Sequence, residues 1–213
     1  MTNCLRKTDL TARFIIRSLN KGLFMYIEDD DGVYSEDLLF EETQILVPDT
    51  QKLASCCFTG HRKLPKGGKR TLLAPLKSTV SYLVSARGVN TFRAGGALGF
   101  DTFAATVIID MKRENPDLRL VLDLPFESQA QNWSDNDKRI YEFVKQNADE
   151  INYYFDGVPP KSKYSECMFK RNRALVDNSA YCVCYLSSDR GGTAYTVDYA
   201  KRHGCEVFNL YES

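Results

Sequence analysis

The chain has 213 residues, 43% of them hydrophobic, and a formal net charge of zero. That is enough for one sizeable core with an appendage. No apolar run approaches the ~18 residues of a membrane span, the first residues lack the apolar stretch of a secretion signal, and the seven cysteines include no Cys-x-x-Cys pair. The expectation is a cytoplasmic protein with reduced thiols, no membrane partner, no metal and no cofactor.

Charge is unevenly spread. Residues 1–50 carry five Lys/Arg and ten Asp/Glu, whereas residues 51–100 carry nine Lys/Arg and no acid. A base-rich stretch of this kind suits an anionic ligand or a solvated basic face.

Residues 1–52 read as a small N-terminal α+β extension. Asp9 is placed to cap a short helix through Leu10, Phe14, Ile15 and Leu19, ending near Gly22. Residues 23–27 read as a strand, and Asp29-Asp30-Asp31-Gly32 as a hairpin turn returning through Val33-Tyr34. The acidic run is too short for a calcium loop. Residues 46–50, with Pro48, read as a linker.

From residue 53 onward strands and helices alternate. Strands are predicted over residues 55–59, 89–94, 118–124, 150–155, 180–186 and 206–210. Helices are predicted over residues 70–87, 100–115, 134–148, 165–178 and 193–203, with Ser134 as an N-cap and Pro116 as a stop. Six such strands joined by short links predict an α/β fold, a Rossmann-like parallel sheet with helices on both faces. Ligands of such sheets lie at the C-terminal ends of the strands, near a switch in strand order.

Three turns fall at those ends. Gly60-His61-Arg62 follows the first strand. Arg62 offers a planar fork for phosphate, and His61 either binds phosphate, moves a proton or plays a structural part. Arg93-Ala94-Gly95-Gly96-Ala97-Leu98-Gly99-Phe100-Asp101 follows the second strand and opens a strongly periodic helix. Glycines there expose backbone N–H groups at a positive helix end, although they also make tight turns without a ligand. Asp101 either complements the helix dipole or holds ribose hydroxyls. Arg190-Gly191-Gly192-Thr193 follows the fifth strand and reads as a phosphate cradle with a hydroxyl attached. Between them lies Met168-Phe169-Lys170-Arg171-Asn172-Arg173, in which only one of Arg171 and Arg173 can face a ligand. Trp133 either stacks on a base or joins the core. Neither a P-loop nor a G-x-G-x-x-G fingerprint is present.

Taken together, these motifs resemble the SLOG superfamily and its YpsA-like branch. The matching pieces are Cys57-Phe58-Thr59-Gly60-His61-Arg62, Gly95-Gly96-Ala97-Leu98-Gly99-Phe100-Asp101, Lys170-Arg171-Asn172-Arg173-x-x-Val176-Asp177 and Gly191-Gly192-Thr193-x-x-Thr196-Val197-x-Tyr199-Ala200. The resemblance covers residues 53–213. It implies binding or sensing of a nucleotide-derived ligand such as ADP-ribose, through Gly60, His61, Arg62, Gly95, Gly96, Gly99, Asp101, Arg171, Asn172, Gly191, Gly192 and Thr193. Phosphoribohydrolase relatives imply an alternative, cleavage of the N-glycosidic bond of a nucleoside monophosphate, with Arg171, Asp198 and Asp101 as candidate catalytic groups. Here Asn172 stands where those enzymes carry lysine, and Asp198 where they carry glutamate. A further alternative, single-stranded nucleic-acid binding, is opposed by zero net charge and by the lack of clustered exposed aromatics in the sequence. Related proteins are commonly dimers, so a homodimer is expected.

Overall fold

The computed structural model describes residues 13–19, 22–28 and 49–211. The chain divides into two compact units, Met1–Val47 and Pro48–Ser213. In the first, strands β1 (Arg13–Leu19) and β2 (Gly22–Glu28) pair antiparallel, with Arg13 opposite Glu28 and Leu19 opposite Gly22. Residues 13–19 are thus a strand where the spacing predicts a helix. Phe14, Ile15 and Leu19 fit a helical stripe, but Ile15-Ile16 is β-branched, and a second β-prone run follows at once. Asp9 and the turn at residues 29–34 lie outside the described residues.

The second unit begins with α1 (Thr50–Leu53), which starts at the last residue of the expected linker, residues 46–50, and is not predicted. Asp49 Oδ1 accepts from the amides of Gln51 and Lys52, at 3.0 and 3.2 Å, and so starts the turn. There follow β3 (Ser55–Gly60), α2 (Lys69–Arg87), β4 (Thr91–Ala94), α3 (Phe100–Met111), β5 (Arg119–Leu124), α4 (Asp135–Gln146), β6 (Glu150–Tyr153), α5 (Tyr164–Asp177), β7 (Tyr181–Tyr185), α6 (Gly192–Arg202) and β8 (Glu206–Asn209). As expected, Ser134 caps α4, its hydroxyl accepting from the Asp137 amide at 3.2 Å. A single 3-10 turn, Glu127–Ala130, interrupts the loop that carries Trp133.

The six strands β3 to β8 form one parallel sheet in the order β6-β5-β4-β3-β7-β8. The chain steps outward from β3 to β6, then crosses back through α5 to lay β7 on the other side of β3. Right-handed crossovers put helices on opposite faces when the direction of travel reverses. Accordingly α2, α3 and α4 share a core with Phe58, Phe92, Leu120, Leu122 and Leu124, while α5 and α6 pack on Cys57, Cys182 and Cys184. This is a Rossmann-like fold with helices on both faces. Its switch point lies between β3 and β7.

Alternation along the strands separates two chemistries. Phe92, Ala94, Leu120, Leu122 and Leu124 point into the first core. On the opposite face, Asp123 is fully buried and accepts from Arg93 Nε and Nη2 at 2.8 and 3.0 Å, from Tyr154 at 3.1 Å and from Asn152 at 3.3 Å. Lys170 of α5 closes the network by donating to the Tyr154 carbonyl at 3.1 Å. Burial and the adjacent Asp123 charge push the Tyr154 hydroxyl up to about 12. All six described cysteines are buried and free. Burial holds the thiols of Cys184 and Cys205 up at about 12, which makes them poor nucleophiles.

Removing one partner of a buried charge pair strands the other. Asp123→Ala is expected to cost about 3–5 kcal/mol in urea unfolding. Asp110→Ala, which breaks the exposed Lys77–Asp110 pair, is expected to cost less than about 1 kcal/mol.

Candidate functional site

The turns expected at a ligand site lie after the C-terminal ends of β3, β4 and β7, and the first two pack against each other. Gly60-His61-Arg62 is tied to β7 by the His61 amide, which donates to the Tyr185 carbonyl at 3.2 Å. The His61 ring packs edge-on against Tyr185, with centroids 6.0 Å apart, and its Nε2 is buried without a hydrogen-bond partner. Arg62 is exposed. The same turn is clamped to the start of α3. The Phe100 amide donates to the His61 carbonyl at 3.2 Å, and Gly99, at φ +91°, brings its Cα so close that a Cβ would stand 2.5 Å from the Arg62 backbone. Gly60 plays the reciprocal part, since a Cβ there would meet that of Phe100 at 2.5 Å.

Within the glycine turn, the room left by absent side chains is filled by the protein itself. A Cβ on Gly95 would fall on the guanidinium of Arg171, reaching over from α5. One on Gly96 would meet Leu124, Gln129 and Tyr141. The Gln129 amide donates to the Gly96 carbonyl at 3.3 Å and to Tyr141 at 3.0 Å. Asp101 is 5% exposed and Arg171 4%, and Nη1 of the arginine lies 3.6 Å from Oδ2 of the aspartate. That is an ion pair without a hydrogen bond. Nε and Nη1 of Arg171 have no partner, and Nη2 reaches only the Met168 sulfur at 3.6 Å. Burial raises the Asp101 carboxyl to about 6, against the pull of Arg171 and of the backbone amides of Ala97, Gly95 and Gly60. Burial likewise lowers the affinity of Arg171 for its proton.

The third turn is different. Gly191, at φ +91°, and Gly192 have open space where a Cβ would be, and no side chain caps α6. Thr193 is half-buried, and its neighbour Thr196 donates to the Gly192 carbonyl at 2.8 Å. The amides of the first turn of α6 are therefore free of side chains that compete for them. Asn172 is half-buried on α5 beside Arg171. Asp198 is exposed and holds Arg202 one turn along α6 at 2.8 Å, so its carboxylate faces solvent, away from the buried Arg171–Asp101 pair.

Arg171 and Arg173 do part company, as helical spacing requires. Arg173 is exposed, donates to the Tyr195 hydroxyl at 2.8 Å and lies over the rings of Tyr195 and Tyr199. Phe169 packs edge-on against Tyr195 at 4.8 Å, and the Tyr199 and His203 rings stack at 3.8 Å. This row joins exposed Phe169 to half-buried Tyr195 and Tyr199, with Lys170 and Arg173 beside it; the expectation that aromatics are unclustered is corrected here, although only part of the row faces solvent. Tyr195, Tyr199 and His203 are four residues apart on one helix, and Phe169 joins them only because α5 packs on α6. Trp133 packs on Tyr141 at the edge of the first core, with centroids 5.3 Å apart. Sequence reasoning missed Arg93, Asp123 and Gln129. Their only signal was a polar residue inside a strand or after one.

Comparison with known proteins bears on the family and the fold. The sequence profile of the YpsA family, described as the YspA SLOG family, matches residues 68–208, more than half of the chain. A UPF0398 protein of Bacillus cereus strain B4264 is 32% identical over 118 residues, which are 54% of this chain and 61% of that relative. The SPbeta prophage-derived protein YoqJ of Bacillus subtilis strain 168 is 28% identical over 134 residues, 60% of this chain and 78% of the relative. The chain therefore spans about 61% of the Bacillus cereus relative's length. Among solved structures, DNA processing protein A from Streptococcus pneumoniae superposes with a TM-score of 0.55 at 17% identity, over 78% of this chain and 53% of that one. The Helicobacter pylori protein of the same name, described for its single-stranded DNA binding mode, gives 0.52 at 16% identity, over 76% and 67%. Among the described residues no helix is long and apolar enough to cross a membrane.

The raised Asp101 carboxyl predicts a pH dependence. A carboxyl at about 6 in the folded chain and near 3.8 in the unfolded one binds more protons when folded across that interval. Its contribution is therefore fullest below pH 4 and is lost as pH rises through 6. Relative to wild type, Asp101→Asn is expected to flatten the fall in stability between pH 4 and 6, measured by urea unfolding at each pH. Parallel curves for the two proteins would contradict the assignment.

Proposed function

The chain belongs to the YspA SLOG family, and from that premise we propose that its Rossmann-like unit binds a phosphorylated, nucleotide-derived ligand at the β3/β7 switch point as a sensor. The carrying observation is Arg171. A guanidinium 4% exposed, with two donors unpartnered and its one carboxylate beyond hydrogen-bond reach, is costly unless an acceptor completes it. A phosphate is the acceptor that its planar fork suits best. The first-turn amides of α6 at Gly191, Gly192 and Thr193, exposed Arg62, and His61 with its unpartnered Nε2 supply further donors, and Asn172 stands beside Arg171. Gly60, Gly95, Gly96 and Gly99 serve this site by close packing, which brings the turns together. Asp101 orients Arg171 from within. In this reading the ligand is held and not cleaved. Asp198 is engaged by Arg202 in solvent, and Asp101 faces Arg171 inside the turn, so neither carboxylate is placed as a free acid or base. Buried free thiols support a cytoplasmic setting.

Native mass spectrometry with AMP, ADP-ribose and NAD is expected to show at least one retained by the wild type. The affinity is expected to fall roughly tenfold or more in Arg171→Lys, which keeps charge but loses the fork, and in Arg62→Ala. The same spectra read the expected homodimer. No binding of any of the three, or equal binding by both variants, would overturn the reading.

The aromatic row favours a second reading, single-stranded nucleic acid stacked on Phe169 and Tyr195 with Lys170 and Arg173 on its phosphates. The name given to the Helicobacter pylori structure lends it support. It predicts oligo-dT binding that weakens steeply with salt and is lost in Phe169→Ala. No retention at 50 mM salt would dispose of it.

A further inference from the structure

Beside the switch point, a cavity of about 330 Å³ opens where the loop after β3, the start of α3 and the first turns of α4 converge. We propose that it receives the nucleoside end, base and ribose, of the ligand whose phosphate sits at Arg171 and α6; the proposal rests on that phosphate reading and adds a second subsite to it.

Three kinds of lining argue for this occupant. Leu64, Leu98 and Ile140 supply apolar surface for the face of a base. Asp137 supplies a carboxylate. It already accepts from the Ser134 hydroxyl at 2.7 Å, and a carboxylate has further lone pairs for a ribose hydroxyl or an exocyclic amino group. Arg62 and Lys69 supply charge at the rim, and neither takes part in an ion pair among the described residues. Apolar surface and one acceptor match the base and hydroxyls of a nucleoside, and the two cations suit the anionic ligand that carries it. A cavity of this size lies at the small end for ligand sites, enough for a single nucleoside.

The fold joins this cavity to the phosphate site. Gly99 belongs to the lining, and its contact with the Arg62 backbone fixes the arginine between the cavity and His61. His61 in turn is bonded to the last residue of β7, whose loop leads to Gly191. A ligand laid from α6 across His61 into the cavity crosses the C-terminal ends of β7, β3 and β4, the crevice that a doubly wound sheet offers.

The test compares AMP with ribose 5-phosphate by titration calorimetry. Both carry the phosphate and ribose, and only AMP carries a base. Wild type is expected to bind AMP roughly tenfold or more tighter, the gain expected from burying the apolar faces of one base against Leu64, Leu98 and Ile140. Leu98→Trp and Ile140→Trp, which fill the cavity, are expected to abolish the preference for AMP, leaving AMP and ribose 5-phosphate bound equally. Asp137→Asn and Leu64→Ala, which add no bulk, are expected to weaken AMP, Leu64→Ala by lowering the preference for AMP over ribose 5-phosphate, and decide the matter if the tryptophan variants do not fold. An AMP preference that survives in every folded variant overturns the nucleoside subsite and leaves the phosphate reading standing. Failure of wild type to bind either compound overturns both.

Discussion

The guanidinium of Arg171 lies against the backbone of Gly95, in the place where any other residue would carry its Cβ. Much of the surrounding architecture follows from that contact. Arg171 can reach the glycine turn only because α5 crosses back over the sheet between β6 and β7, and only because the turn has no side chain in the way. Asp101, in the first turn of α3, then faces the arginine from inside the turn, and both charges are removed from water. The pair stops short of a hydrogen bond, so its desolvation is only partly offset. Natural proteins seldom keep such an arrangement unless something else uses it.

The two glycine turns are alike in sequence and opposite in structure. Gly95, Gly96 and Gly99 are small because protein atoms occupy the space beside them: a guanidinium, a leucine and tyrosine, and the backbone of Arg62. Gly191 and Gly192 have nothing beside them. The first turn is therefore closed by the protein's own atoms, while the second leaves its amides without neighbouring side chains. Gly60-His61-Arg62 links the two, bonded to β7 on one side and packed against Gly99 on the other. In the proposed site, the amides of α6, His61 and Arg62 form a row of donors along the strand ends, with the cavity beyond Arg62.

Periodicity made the parallel sheet legible, because each strand of residues 53–213 is a short apolar run bounded by a turn and each helix carries an apolar stripe. It failed at residues 13–19, where Ile15 and Leu19, four apart, fit either period and the pairing with β2 decides for a strand. Arg62, Arg171 and the glycines were legible as residue types suited to anions. Their partners were not. Asp101 and Arg171 are 70 positions apart, as are many pairs that never meet, and nothing local says that one arginine of α5 is buried while Arg173, two residues on, faces the tyrosines of α6. The Asp123 network was hidden likewise, since a single acid inside an apolar strand has no partner in its own segment.

The proposed site seats an anion between Arg171 and the open end of α6. Amide and side-chain NMR of the full chain, titrated with AMP, tests this most directly. The largest shifts are expected at the amides of Gly191, Gly192 and Thr193 and at Nε–H of Arg171, with smaller ones at His61 and Arg62. Shifts confined to the outer row of Phe169, Arg173, Tyr195 and Tyr199, with Arg171 unmoved, would contradict it.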